Sequence, residues 1–246
     1  MSSKTGGLGD NFYVGGYDVS GDVNSVDTIS GGPAVLDFTT VDKSAVVRQG
    51  GLRSGEIDFT TFIESGGTAS TTEKGLFSLP TSSTVVSYFR GTAVGNPAAS
   101  LYGKQVNFDP ARGTDGSLTA KVQSLSDGYG LEWGKQLTAG LRTDTAGTVG
   151  TSVNNGGATT YGGQAYLHVT SFSGTAATVT VEHSTDNSSY STLLTFSTIT
   201  AAPFSQRVAT SAGTTVDQYV RATTAGTISS MTFAVEFVRN TTAVSF

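Results

Sequence analysis

The chain has 246 residues, a net charge of −5 and no cysteine, and it is 37% hydrophobic but only 13% charged, about half the usual charged fraction. Such a sequence is too apolar and too weakly charged for a disordered chain. It lacks the cationic excess that grips nucleic-acid phosphates, and it excludes disulfide and thiolate chemistry.

The 32 glycines against 5 prolines fit short strands joined by tight polar turns, where Gly supplies positive φ and Thr packs on a pleated surface. The opening residues show no apolar signal region, and no run approaches the ~20 apolar residues of a membrane helix, so no membrane insertion is expected. Asp18, Asp22 and Asp27 cluster near the start and read as a solvated polar face. Residues 35–41 and 57–63 alternate as strands: Leu36 and Phe38 oppose Asp37 and Thr39, and Ile57 and Phe59 oppose Asp58 and Thr60. Asp37 and Asp58 are candidate neighbours across that sheet. Between the two runs, residues 42–55 form a loop too long for a tight turn. Lys43, Val46, Val47, Arg48, Leu52 and Arg53 give it a mixed apolar and basic surface suited to docking on another subunit.

Residues 71–79 are the best candidate for a helical turn, stopped by Pro80. A second strand pair is expected at 100–108 and 117–125, with Asp-Pro and Asp-Gly turn signals over 109–116. Leu118, Ala120 and Val122 alternate there with Thr119, Lys121 and Gln123. The stretch 143–163 is small, polar and Gly-rich, as in a linker. Of the 14 basic residues, only Arg207, Arg221 and Arg239 lie beyond it. About six strands follow, at 165–172, 178–183, 193–196, 206–209, 219–222 and 231–238, at a spacing typical of a sandwich. The expected fold is all-β: a first domain over 1–143, a Gly/Thr/Asn-rich linker over 144–160, and a β-sandwich of immunoglobulin-like or jelly-roll-like type over 161–246.

Catalytic constellations are not evident. The two histidines, His168 and His183, each fall on an expected strand and read as ordinary strand residues, because a metal centre needs several ligands converging on one point. Gly6-Gly7-Leu8-Gly9 and Gly15-Gly16 lack the spacing of phosphate-binding loops. The carboxylates form no acid–base pair of the glycosidase kind. Tyr129 and Trp133 could make a sugar-stacking platform, with a core or interface aromatic pair as the preferred account. Neither an enzyme nor a cofactor is expected.

The segments 13–22, 31–45, 50–61, 113–123 and 128–134 together carry a resemblance. They read Tyr-Val-Gly-Gly-Tyr-Asp-Val-Ser-Gly-Asp, a strand opening on Gly-Gly-Pro-Ala-Val-Leu-Asp-Phe, a loop closing on Gly-Leu-Arg-Ser-Gly, and an answering strand. In that order they resemble the tail-tube (major tail) protein family of long-tailed phages, particularly those of actinobacteria; Val19 stands where the family pattern has Leu. The resemblance implies six-membered rings in which strands of each copy join one barrel, so that no sheet edge stays open. It implies a virion tail protein, assembled in the host bacterial cytoplasm. The implied partners are other copies of the chain, tape-measure, tail-terminator and distal-tail proteins, and double-stranded DNA in transit. In such a wall Leu36, Phe38, Ile57, Phe59, Leu118 and Val122 would pack outward. Asp37, Thr39, Asp58, Thr60, Thr119, Lys121 and Gln123 would face the lumen, and the 42–55 loop would meet the adjacent ring. Two other accounts stay open: a head-decoration or tail-fibre protein with a glycan-binding sandwich, and a secreted carbohydrate-active enzyme.

Overall fold

A computed structural model describes residues 7–63, 71–77 and 82–243. The chain is all-β. Its strands are β1 (Asn11–Val14), β2 (Tyr17–Asp18), β3 (Val23–Asp37), β4 (Arg48–Phe62), β5 (Thr84–Phe89), β6 (Pro97–Arg112), β7 (Leu118–Ser126) and β8 (Glu132–Gln136). They continue with β9 (Arg142–Asp144), β10 (Val153–Asn154), β11 (Gly163–Ser184), β12 (Ser191–Thr195), β13 (Phe204–Ala209) and β14 (Tyr219–Arg239). One short helix, α1 (Thr71–Leu76), sits where a helical turn was expected; residues 78–80 lie outside the described residues.

Two hairpins frame the first half. β6 and β7 pair as expected from 100–108 and 117–125, but the ladder runs on to Arg112↔Leu118, so the turn shrinks to Gly113–Ser117. β3 and β4 depart further from expectation. The strand partner of Ile57 and Phe59 is not the 35–41 run but the segment before it, with Val26 opposite Phe59 and Ile29 opposite Ile57. The ladder then continues to Asp37↔Arg48, so most of the expected 42–55 loop is strand and the connection is 38–47. Gly50 and Gly51 lie in the outer part of this ribbon, whereas Gly55 is buried against Leu131. Asp37 and Asp58 are accordingly not neighbours: Asp37 faces Arg48, whereas Asp58 faces Thr28 on one side and Gln123 on the other.

The second half is dominated by two strands where four were expected. β11 and β14 pair along their whole lengths, with register shifts between Val169 and Ala176. Such bulges bend a ribbon without ending it, which is why 165–172 and 178–183 look separate in sequence. β13 flanks the first part of β11 and β12 the last. Leu167, Val169, Val179, Val181, Phe196, Ile199, Phe233 and Val235 form the core between them. The 144–160 segment runs along β14: Thr148 and Gly150 donate to the carbonyls of Thr224 and Ala222, and β10 pairs with Val220 and Tyr219. β8 bonds both to β6, at Ala99↔Trp133, and to β14, at Phe237↔Lys135, so one antiparallel sheet runs through both halves.

Polar side chains are buried at this junction. Glu132 accepts from Arg207 at 3.1 Å, from Gln164 at 2.8 Å and from the Tyr166 hydroxyl. Deeper still, the Gly16 amide donates to His168 Nδ1, which leaves the proton on Nε2, 2.8 Å from Ser87 Oγ. Ser87 Oγ lies 2.5 Å from Ser100 Oγ, which in turn donates to Glu236. Burial drives the His168 imidazole down to about 3 and, despite the Ser100 bond, the Glu236 carboxyl up to about 8.

Candidate functional site

β3, β4, β7 and the far part of β6 form a four-stranded antiparallel sheet in the order β3-β4-β7-β6. One face is apolar: Ile57, Phe59 and Val122 are buried there with Phe12, Leu76 and Leu101. α1 helps to cover this face, Phe77 meeting Phe108 edge-on at 4.8 Å and Gln105 donating to the Leu76 carbonyl. The opposite face is polar because side chains alternate along each strand.

That polar face gathers Asp58, Thr60, Thr119, Lys121 and Gln123, with Thr60 opposite Lys121 and Asp58 opposite Gln123. Thr60 donates to Asp27 at 3.0 Å and Gln123 to Glu56 at 2.6 Å, and the Gln123 amide donates to Asn107 Oδ1 at 2.7 Å. Asp109 stands opposite Lys121. Four carboxylates, those of Asp27, Glu56, Asp58 and Asp109, thus share this face with Lys121 and with Lys104, which stands opposite Leu125 and pairs with Asp127 at 3.4 Å. Partial burial, and then the neighbouring Glu56, push the Asp58 carboxyl up to about 6.

Asp37 and Thr39 are not brought to this group. They lie at the far end of the β3–β4 ribbon, where the Thr39 hydroxyl and then the Thr39 amide, 2.8 Å from Asp37 Oδ1, hold that carboxyl below its usual range, and Thr39 Oγ1 accepts from the Val47 amide. Leu36 and Phe38, expected to pack outward against the rest of their own subunit, are 44% and 54% exposed, because nothing among the described residues covers the end of the ribbon. Leu118 is half-buried. Of the expected docking residues, Lys43, Val46 and Val47 are in the 38–47 connection, while Arg48, Leu52 and Arg53 are in β4. Lys43 pairs with Asp42, and Leu52 is 89% exposed. Together with Val35, Leu36, Phe38 and Val41, these residues make the ribbon end an exposed apolar surface.

Among the described residues both margins of the four-stranded sheet are open: β3 bonds only to β4, and beyond Gly103, where pairing with β5 stops, β6 bonds only to β7. Pro33 and Pro110 fall on these two outer strands, the positions that tolerate a missing N–H.

The histidines do not converge. His183 Nδ1 lies 2.9 Å from Asp217, far along β11 from His168, and the described residues contain no cluster of metal-ligating side chains. Gly15 and Gly16 form the tight β1–β2 turn. Tyr129 packs against Tyr102, with the Arg207 guanidinium 3.7 Å above its ring, whereas Trp133 is 53% exposed. No helix among the described residues is long and apolar enough to cross a membrane.

No family model matches the chain, and no curated protein matches it. Its fold is similar to the SPP1 Dit protein, described as a paradigm of the hub adsorption apparatus in Gram-positive-infecting phages. The identity is 13% and the TM-score 0.36, over 94% of this chain and 99% of that one. It is also similar to chains of the phage P2 baseplate in its activated conformation with Ca, at 10% identity and TM-score 0.36 over 96% of this chain and 99% of that one. For the same baseplate with Sr the values are 8% and 0.33, over 96% and 99%. Likeness this distant carries no conclusion about function.

Sequence reasoning missed the first half of β3, the two open margins, and the buried Glu132, Arg207 and Glu236. Only the margins bear on assembly, and hydrogen-bond partners become visible only once strand order is known.

Proposed function

We propose that the chain is a non-enzymatic structural protein of a phage-type tail, polymerising through its four-stranded sheet into closed, hexameric rings that stack as the tail tube. The observation that carries this is the pair of open margins. An unpaired β3 on one side and an unpaired outer β6 on the other are a standing invitation to pair with another chain. Antiparallel pairing of β3 of one copy with β6 of the next satisfies both margins and, repeated around a ring, leaves none.

The two faces of the sheet support the same arrangement. The apolar face packs on the body of its own subunit and cannot line a channel. The polar face is then the lumen wall, and a surface on which carboxylates outnumber lysines repels a polyanion rather than holding it, as a conduit for DNA requires. The apolar ribbon end reaches past the body and supplies the contact to the adjacent ring. Copies of the chain are thus its principal partners. Tape-measure, terminator and distal-tail proteins, and a place in the virion tail, follow from the resemblance of the sequence.

Replacing residues 38–47 by Asn-Gly tests the stacking contact. The expected product is a folded subunit that forms no tubes by negative-stain microscopy; tubes of ordinary length from this variant would contradict the proposal.

A further inference from the structure

Trp133 is the only tryptophan of the chain, and β8 turns it outward while Glu132 and Gln136 on either side point into the core. Beside it opens a cleft of about 280 Å³, lined by Pro97, Trp133, Lys135, Asn155, Phe237 and Arg239. Trp133 and Lys135, two apart on β8, share its outer face. Arg239 donates to the carbonyls of Gly157 and Asn155, which fixes the 155–157 turn as the far wall.

The charge of the cleft runs against that of the chain. The net charge is −5, yet Lys135 and Arg239 form none of the ion pairs found among the described residues. Lys135 has only a long contact, 3.4 Å, to the Asn154 carbonyl, and the Asn155 Nδ2 group has no hydrogen-bond partner. An exposed indole and two cations without a carboxylate therefore line one hollow. Its volume is slightly below the ~300 Å³ at which pockets for whole drug-sized ligands begin, so it has room for one ring.

We infer that this cleft binds a saccharide ring bearing an anionic substituent, a carboxylate, sulfate or phosphate. The indole face offers the apolar side of a pyranose a flat stacking surface, and Lys135 and Arg239 offer charge-assisted hydrogen bonds to the anionic group. This site lies apart from the four-stranded sheet and does not depend on ring assembly.

Because Trp133 is the sole tryptophan, its emission reports directly on the cleft. The intact protein is titrated with methyl glucuronide, glucose 6-sulfate, glucose 6-phosphate and neutral methyl glucoside. The expected result is a saturable emission change with at least one anionic sugar, about ten-fold tighter than with the neutral one. Lys135→Gln should remove that preference, and Trp133→Ala should abolish binding as read by saturation-transfer NMR while Trp133→Phe retains it. The inference is overturned if no sugar gives a saturable change, if neutral and anionic sugars respond alike, or if inorganic sulfate alone reproduces the shift. An emission change on simple dilution would also overturn it, by showing that the cleft is closed by a second copy.

Discussion

A Cβ added to Gly55 would sit 2.3 Å from the amide nitrogen of Leu131, and one added to its cross-strand partner Gly31 would sit 2.6 Å from the Leu131 Cβ. The β3–β4 ribbon therefore leaves the body of the subunit over Leu131, and it can do so only because both contacting residues lack side chains. Gly55→Ala forces backbone apart and should cost about 1–3 kcal/mol in chemical denaturation. Gly21, which has open space around it, is the control: Gly21→Ala should change stability by no more than about 0.5 kcal/mol.

The Glu132–Arg207 pair is almost wholly shielded, at 3.1 Å. Removing one member strands a buried charge, so Arg207→Met should destabilise the fold by about 3–5 kcal/mol. Replacing both, Glu132→Gln with Arg207→Met, should recover a measurable part of that loss, and urea denaturation of the three proteins decides it.

His168 and Glu236 set opposite limits on pH stability. His168 falls from an ordinary 6.5 to about 3 in the folded chain, so its contribution is present above 6.5 and is lost as pH falls toward 3. Glu236 rises from 4.5 to about 8, so its contribution is present below 4.5 and is lost as pH rises toward 8. Between 4.5 and 6.5 the two slopes cancel. Thermal unfolding followed against pH should show a plateau there and a decline on each side. Glu236→Gln should flatten the decline between 6.5 and 8, and it should leave the acid limb in place.

Charge on the polar sheet face governs passage rather than assembly in this account. Asp27→Lys combined with Asp58→Lys should leave tube formation intact and slow DNA release from particles carrying the variant. Ejection kinetics equal to those of the unaltered particle would remove the acidic face from the mechanism.

Much of the fold is legible in alternation alone. Ile57, Phe59 and Val122 read as core and are core. Val23, Val26 and Ile29 do not read as a strand, because they recur every third residue. Two bulges in β3 skip a position each, which keeps all three opposite Thr61, Phe59 and Ile57 on the same face. Leu36 and Phe38 fail in the other direction, since strict alternation cannot tell a face packed on its own subunit from one left open. His168 and Glu236 fall at polar positions of alternating strands and are nevertheless buried, because β11 and β14 are covered on both sides there. The margins that make the four-stranded sheet a candidate interface depend on where β5 stops pairing with β6, a long-range fact that local sequence does not encode.

Electron cryomicroscopy of the assembled protein tests the central claim most directly. The account predicts closed rings in which β3 of one copy hydrogen-bonds to the outer part of β6 of the next, with Asp58 and Lys121 facing the bore. Particles in which both strands remain exposed to solvent, or rings joined through other surfaces, would contradict it.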